Sequence, residues 1–443
     1  MNKILTVAGS LVVAVGLSGC GVTTLSAVAA PLDVAKSTVQ LDKPKYFYTD
    51  EVNKVCKVKK DTGFYSSSLN NDFDLTENEF LFDYLKLMET MSWTKHHDKT
   101  SDSLTVDHGM ITSRMSKMQI IATEAIINDT LDLQAPKLIE LMVGYAENEF
   151  IMDSTTEMEI KAMQKAGTYS RCYAGGKNDE KAVCHAHTAQ EAARYAGQFI
   201  ILAIQVQDYM NYKELTIVSD YIENMYNDYI EPWYVNSGAG NDEIYDGFYH
   251  MGHGAISKLA YAHWKNNPVM AENVFEDSFK FIDGLVFDDG YIANNSFRGT
   301  RGYWYHSLGL NNMLGMVALA DQWNYPVSQE ITDKLTKASD FLVNKDPEQW
   351  EDYLIESYKD KGKYVTVKEN NRKIYFGNVT WKKKNTRPYM HQNSYGLEVL
   401  INNYTNSTLE SIKDTPKYKI WNYKKDKKNT DITLGFNPLC MTQ

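Results

Sequence analysis

Apolar residues recur at helical spacing along most of the chain, and strand-like runs are nearly absent. Phe80, Leu81, Tyr84, Leu85 and Met88 form one such stripe, and Phe199, Ile200, Leu202 and Ala203 lie on another. Further amphipathic runs cover about 110–128, 134–150, 214–230, 254–266, 269–284, 304–323, 328–344 and 391–403. Two capping boxes, Thr76-Glu77-Asn78-Glu79 and Thr188-Ala189-Gln190-Glu191, predict helix starts, because the hydroxyl and the N3 acid each satisfy an orphan backbone N–H. The clearest strand signal is Tyr364-Val365-Thr366-Val367 followed, after Glu369-Asn370-Asn371-Arg372, by Lys373-Ile374-Tyr375-Phe376, which reads as one late hairpin. Helices of similar length joined by short polar loops predict an all-α fold, a helical array or toroid carrying a small hairpin insertion.

The N-terminus fixes the expected compartment. Lys3 precedes an apolar run from Ile4 to Leu17, too short to span a bilayer and typical of a secretory signal. Leu17-Ser18-Gly19-Cys20 resembles a bacterial lipobox, which implies a lipoprotein signal peptide over residues 1–19 and Cys20 as the lipidation site. An ordinary signal peptide cut after Ala27-Val28-Ala29 is the alternative. Residues 20–45, small and polar with Pro31 and Pro44, read as a tether, and 46–443 as one domain. The expected location is the periplasm or the outer membrane, anchored through Cys20, or otherwise the secreted fraction. Such a compartment permits disulfides. Setting Cys20 aside leaves Cys56, Cys172, Cys184 and Cys440, which allow three connectivities. A local Cys172–Cys184 bridge across a loop-like stretch, with Cys56 meeting Cys440, is the economical choice. Zinc at Cys184, His185 and His187 lacks a second ligand pair at metal spacing.

A net charge of −11 argues against general nucleic-acid binding, which needs a surplus of Lys and Arg at phosphates. Gly175-Gly176 and Gly238-Ala239-Gly240 lack the flanking strand and helix of a phosphate loop, so no cofactor or metal is expected.

The chemistry concentrates between Tyr245 and His306. Ile282-Asp283-Gly284 and Asp289-Gly290-Tyr291 precede Arg298-Gly299-Thr300-Arg301-Gly302-Tyr303-Trp304-Tyr305-His306, which opens a helix through Ser307 and Leu314. This arrangement resembles the alginate lyase domain of polysaccharide lyase family 5, and more loosely the glucuronan and alginate lyases of family 38. The resemblance covers about 245–322. It implies an incomplete (α/α) toroid with a cleft at the inner-helix ends, and a monomer. It also implies catalytic roles for Arg298 and Tyr305, with His250, from Tyr249-His250-Met251-Gly252-His253, at the head of the preceding inner helix. Tyr249, His253, Arg301 and His306 would line or orient the substrate site. The family carries Asn before its His, where this chain has Tyr249, so neutralising the substrate carboxylate passes to another group. Asn241, Gln190, Arg194 and Asn236 are the candidates.

Those residue types suit β-elimination from an acidic polysaccharide such as alginate or another polyuronate. Arg or amide donors at the carboxylate stabilise the charge that develops when the C5 proton leaves. A base removes that proton and an acid protonates the departing O4. A Tyr, ordinarily titrating near 10, can do both if neighbouring cations favour phenolate. Two other readings use the same residues differently. One is a catalytically inactive polysaccharide-binding or assembly lipoprotein on the same fold. The other is a hydrolase drawing two carboxylates from Asp242, Glu243, Asp246, Asp288 and Asp289. The bland alternatives are core packing for Tyr305 and Trp304, surface ion pairs for Arg298 and Arg301, and structural roles for His250 and His253.

Overall fold

In a computed structural model, the described residues are 74–90, 114–115, 117–150, 186–235, 243–244, 248–293, 295–296, 302–344, 364–367, 372–375 and 397–407. They are 82% helical. The signal segment, the tether and all five cysteines lie outside them, as do Asn236, Asn241, Arg298 and Arg301.

The helices are α1 (Glu79–Lys86), α2 (117–127), α3 (Leu131–Glu147), α4 (Ala186–Val206), α5 (Tyr212–Met225), α6 (Glu231–Tyr234), α7 (Phe248–Trp264), α8 (Pro268–Leu285), α9 (Gly302–Gln322), α10 (Gln329–Asn344) and α11 (Leu397–Tyr404). Among the described residues three short strands form one sheet in the order β1-β3-β2. β2 (Tyr364–Val367) runs antiparallel to β3 (Arg372–Tyr375), with Val365 opposite Ile374. β1 (Glu243–Ile244) pairs parallel to β3, an attachment just upstream of α7 that the single-hairpin reading lacked.

Helix starts differ from the expected capping boxes. Asn78, not Thr76, caps α1 by accepting from the Leu81 N–H, while the Thr76 hydroxyl turns back to Asp74 Oδ1 at 2.6 Å. Either residue type can cap, but Thr76 lies in a turn in which its N–H and its hydroxyl both donate to Asp74 Oδ1, two residues short of the Asn78 cap. Thr188 already lies inside α4, which begins at Ala186. A complete capping box stands instead at Asn211–Glu214, opening α5. Phe80, assigned to the apolar stripe of α1, is 83% exposed, whereas Leu81, Leu85 and Met88 are buried. α7 begins at Phe248, upstream of the predicted 254, so Tyr249, His250 and His253 are helical.

Among the described residues four helices end alike. Asp129, Glu149, Asn266 and Asn324 adopt positive φ after α2, α3, α7 and α9. In each case the next residue's N–H reaches back five positions, as from Tyr325 to the Ala320 carbonyl at 2.8 Å. This left-handed termination satisfies carbonyls that a helix end leaves orphaned and turns the chain sharply.

Helices α3, α4, α7, α9 and α11 touch one another in series, while α5, α8 and α10 alternate with them along the chain and pack against them. The tight connections force antiparallel neighbours. Phe275 of α8 meets Trp323 just past the end of α9, and His306 at the start of α9 meets Ala338 of α10. The helix α9 is buried on every face from Gly302 to Ala320 except at Tyr305, the pattern of a helix surrounded by others. At the α4–α7 crossing the Ser257 hydroxyl sits 2.9 Å from the Ala193 carbonyl and 2.8 Å from that of His253, so its one proton ties the two helices together.

Candidate functional site

The first turn of α9 is built by the loop that precedes it. After α8, the chain makes a tight reversal in which Phe287 N–H donates to the Tyr291 carbonyl and Val286 bridges Ile292. Asp289 Oδ1 accepts the Tyr291 N–H at 3.1 Å, and Gly290 takes φ 86°. A side chain at Gly290 would collide with the Lys337 carbonyl at 2.2 Å, so glycine is required where the reversal presses against α10. The Asp-Gly-Tyr element of the motif is thereby a docking turn.

Asn295 and Ser296 then hold the helix start. Asn295 Nδ2 donates to the Tyr305 carbonyl at 2.9 Å, passing over Gly309, where a Cβ would lie 2.5 Å from that nitrogen. Ser296 Oγ accepts the Ile292 N–H at 2.7 Å and lies 2.8 Å from His306 Nδ1. His306 Nε2 is 2.9 Å from the Ala338 carbonyl, which can only accept. Nε2 therefore carries the proton and donates, which makes Nδ1 of the neutral ring an acceptor for the Ser296 hydroxyl. The result is a directed chain from Ile292 N–H through Ser296 and His306 to Ala338. Burial drives the His306 pKa down to about 4, against the smaller upward pull of the Ala338 hydrogen bond. The ring also stacks on Phe341, with centroids 5.4 Å apart.

Tyr305 is half-buried, between buried Trp304 and fully enclosed His306. Its ring meets Trp304 edge-on, with centroids 4.7 Å apart. Both ring nitrogens of His306 are engaged inside the protein, which fits an orienting residue and not one that touches substrate. His253 is buried on α7, 4% exposed, and its carbonyl accepts from Ser257. Tyr249 and His250 occupy the first turn of α7. Gln190 and Arg194, four residues apart and hence on one face, lie in the N-terminal half of α4, with Arg194 half-buried.

α7 and α9 run in the same direction, because each is antiparallel to α8. Their C-terminal ends meet where His263 packs edge-on to Trp323, centroids 6.2 Å apart. His250 and Tyr305 consequently share the opposite end of the layer. Of the carboxylates considered for hydrolysis, Asp288 is fully exposed 3.9 Å from Lys337, Asp289 caps its own turn, and Glu243 belongs to β1.

Asn295 and Ser296 were not singled out from sequence. The only signal is their place in the polar run Asn294-Asn295-Ser296, just upstream of Arg298, which looks like any loop. The buried Asn311 and Asn312 in the middle of α9 are a further unanticipated polar pair. Comparison with protein-family models, curated proteins and solved structures returns no significant match.

Proposed function

We propose that the chain is an exported polysaccharide lyase that cleaves an acidic polysaccharide, alginate or another polyuronate, by β-elimination on an incomplete (α/α) toroid. The carrying observation is the half-buried Tyr305 in the first turn of α9, whose backbone is clamped by Asn295 while its neighbours are enclosed. A reacting phenol needs both a fixed position and an opening to substrate. The serial contact of α4, α7, α9 and α11, with α5, α8 and α10 alternating between them in sequence, supports the toroid.

In this reading Arg298 is the cation that neutralises the uronate carboxylate. Gln190, Arg194 or Asn241 complete the neutralisation in place of the family's Asn. Where the C5 hydrogen and O4 lie on one face, Tyr305 takes the C5 proton, the C4–O4 bond breaks as C4=C5 forms, and the phenol returns the proton to O4. For the opposite geometry His250 takes the C5 proton and Tyr305 supplies the one for O4. His306 is a positioning residue, acting through its hydrogen-bonded chain to α10. Tyr249, His253 and Arg301 shape the substrate-binding end.

The test is incubation of the mature protein with a panel of polyuronates, followed by ultraviolet absorbance of the unsaturated product. Tyr305→Phe should cost about a hundredfold or more in turnover with an unchanged melting transition. Turnover retained in Tyr305→Phe overturns the assignment of Tyr305. Binding without product on every polyuronate overturns the lyase and favours the non-catalytic reading.

A further inference from the structure

The far end of α9 carries a separate concavity. An open cleft of about 490 Å³ lies where the end of α9, the turn into α10 and the end of α11 converge. Asp321, Asn324, Tyr325, Asn403, Tyr404 and Asn406 line it. At 1.5 Å of rise per residue, Asp321 stands about 24 Å along the axis from Tyr305, so the two ends of the helix do not share one subsite.

Its framework is rigid. The left-handed termination at Asn324 fixes the turn that carries Tyr325. The Tyr325 ring stacks on Phe275 and Phe279, with centroids 5.0 and 5.9 Å away. Across the cleft, Tyr404 Oη donates to Asp321 Oδ2 at 3.3 Å. The Asn406 N–H donates to Thr336 Oγ1, and the Ser407 hydroxyl donates to Asp340, pinning the end of α11 to α10.

Planar amides and a carboxylate offer paired donors and acceptors that match vicinal hydroxyls, and tyrosine rings present flat surfaces for the C–H face of a sugar ring. Among the described lining residues there is one carboxylate and no Lys or Arg. A uronate or a phosphate would meet repulsion there without a counter-charge. We propose that this cleft is a second saccharide site, selective for neutral sugar residues. It is distinct in place and in charge preference from the Tyr305 end, and it does not depend on that end being catalytic.

The experiment titrates the full mature chain with neutral oligosaccharides (cello-, manno- and xylo-oligomers) and with polyuronate oligomers of equal length, read by calorimetry. Tyr305→Phe serves as the background, which removes turnover. Neutral oligomers should bind, and both Asn324→Gly and Asn406→Ala should weaken them roughly fivefold, the loss of about one hydrogen bond. Asn324→Gly keeps the positive φ available, so folding is preserved. Neither variant should alter binding of polyuronate oligomers at the Tyr305 end. The proposal is overturned if no neutral oligomer binds at millimolar concentration, or if both variants bind neutral oligomers as the parent does. It is equally overturned if these variants weaken polyuronate binding instead. Failure of the lyase reading alone would show as absent polyuronate turnover by the chain that retains Tyr305, with this neutral binding intact.

Discussion

The two ends of α9 are secured by different physics. The N-terminal end depends on side-chain hydrogen bonds: a part-buried one from Asn295 to the Tyr305 carbonyl, and a buried chain from Ser296 through His306 to Ala338. The C-terminal end depends on a backbone termination at Asn324 and on the rings Phe275, Phe279 and Tyr325. A buried polar chain is specific in direction but brittle, because losing one member leaves its partners desolvated and unpaired. A backbone cap covered by stacked rings tolerates side-chain change, since its hydrogen bonds belong to the main chain. The end proposed for chemistry is therefore the end whose geometry is most narrowly set and most easily lost.

The largest effect should follow from His306→Ala. It opens a cavity beside Phe341 and leaves the buried Ser296 hydroxyl without its acceptor, so denaturant unfolding should report a loss of about 4 kcal/mol. The same residue should imprint a pH dependence. Its folded pKa, about 4, lies below the ordinary value of 6.5, so between those values the unfolded chain binds more protons. Its contribution is fully present above about pH 6.5 and declines as pH falls towards about 4, with a slope of at most about 1.4 kcal/mol per pH unit. Unfolding midpoints of the parent and His306→Ala should converge on acidification across that window. Parallel curves would show that the ring is not held neutral.

A smaller effect is expected from Asn295→Ala. It removes one part-buried hydrogen bond to the Tyr305 carbonyl, worth about 1 kcal/mol in stability. It also frees the backbone beneath the phenol, so on a polyuronate substrate kcat should fall more than KM rises. Equal damage to a C-terminal control such as Asn324→Gly would erase the contrast between the two ends.

Much of the fold was legible because a helix repeats its apolar side every 3.6 residues. The predicted runs 269–284, 304–323 and 328–344 coincide closely with α8, α9 and α10. Boundaries were less legible for identifiable reasons. Asn78 and Thr76 are both capable caps, and the turn at Asp74, which takes up the Thr76 N–H and hydroxyl, places Asn78 at the helix start. The helix ends at Asp129, Glu149, Asn266 and Asn324 use residues other than the glycine that normally marks a left-handed stop. The π-helical turn Tyr226–Ile230 has no periodic signature of its own, and β1, two residues long, is defined only by a partner strand far along the chain. At the candidate site, Tyr305 stood out through its motif. Asn295 and Ser296 did not, because an Asn-Ser pair in a loop acquires its function only when α9 and α10 close around it.

The smallest effect tests the other end. Asn324 sits at φ 54°, a conformation that costs most residues about 1 kcal/mol but costs glycine nothing. Asn324→Gly relieves that strain and gives back a similar amount through the greater freedom of the unfolded chain, so its net change should stay within about 0.5 kcal/mol. Asn324→Ala gains neither the amide's tolerance of this region nor glycine's freedom, and should lose about 1 kcal/mol. The pair separates backbone from side chain. If both variants lost stability equally, the Asn324 amide itself would be holding this end, and the two ends of α9 would be secured in the same way. If only the alanine variant did, the main chain secures the C-terminal end, leaving the Asn324 side chain available to a ligand in the cleft it lines.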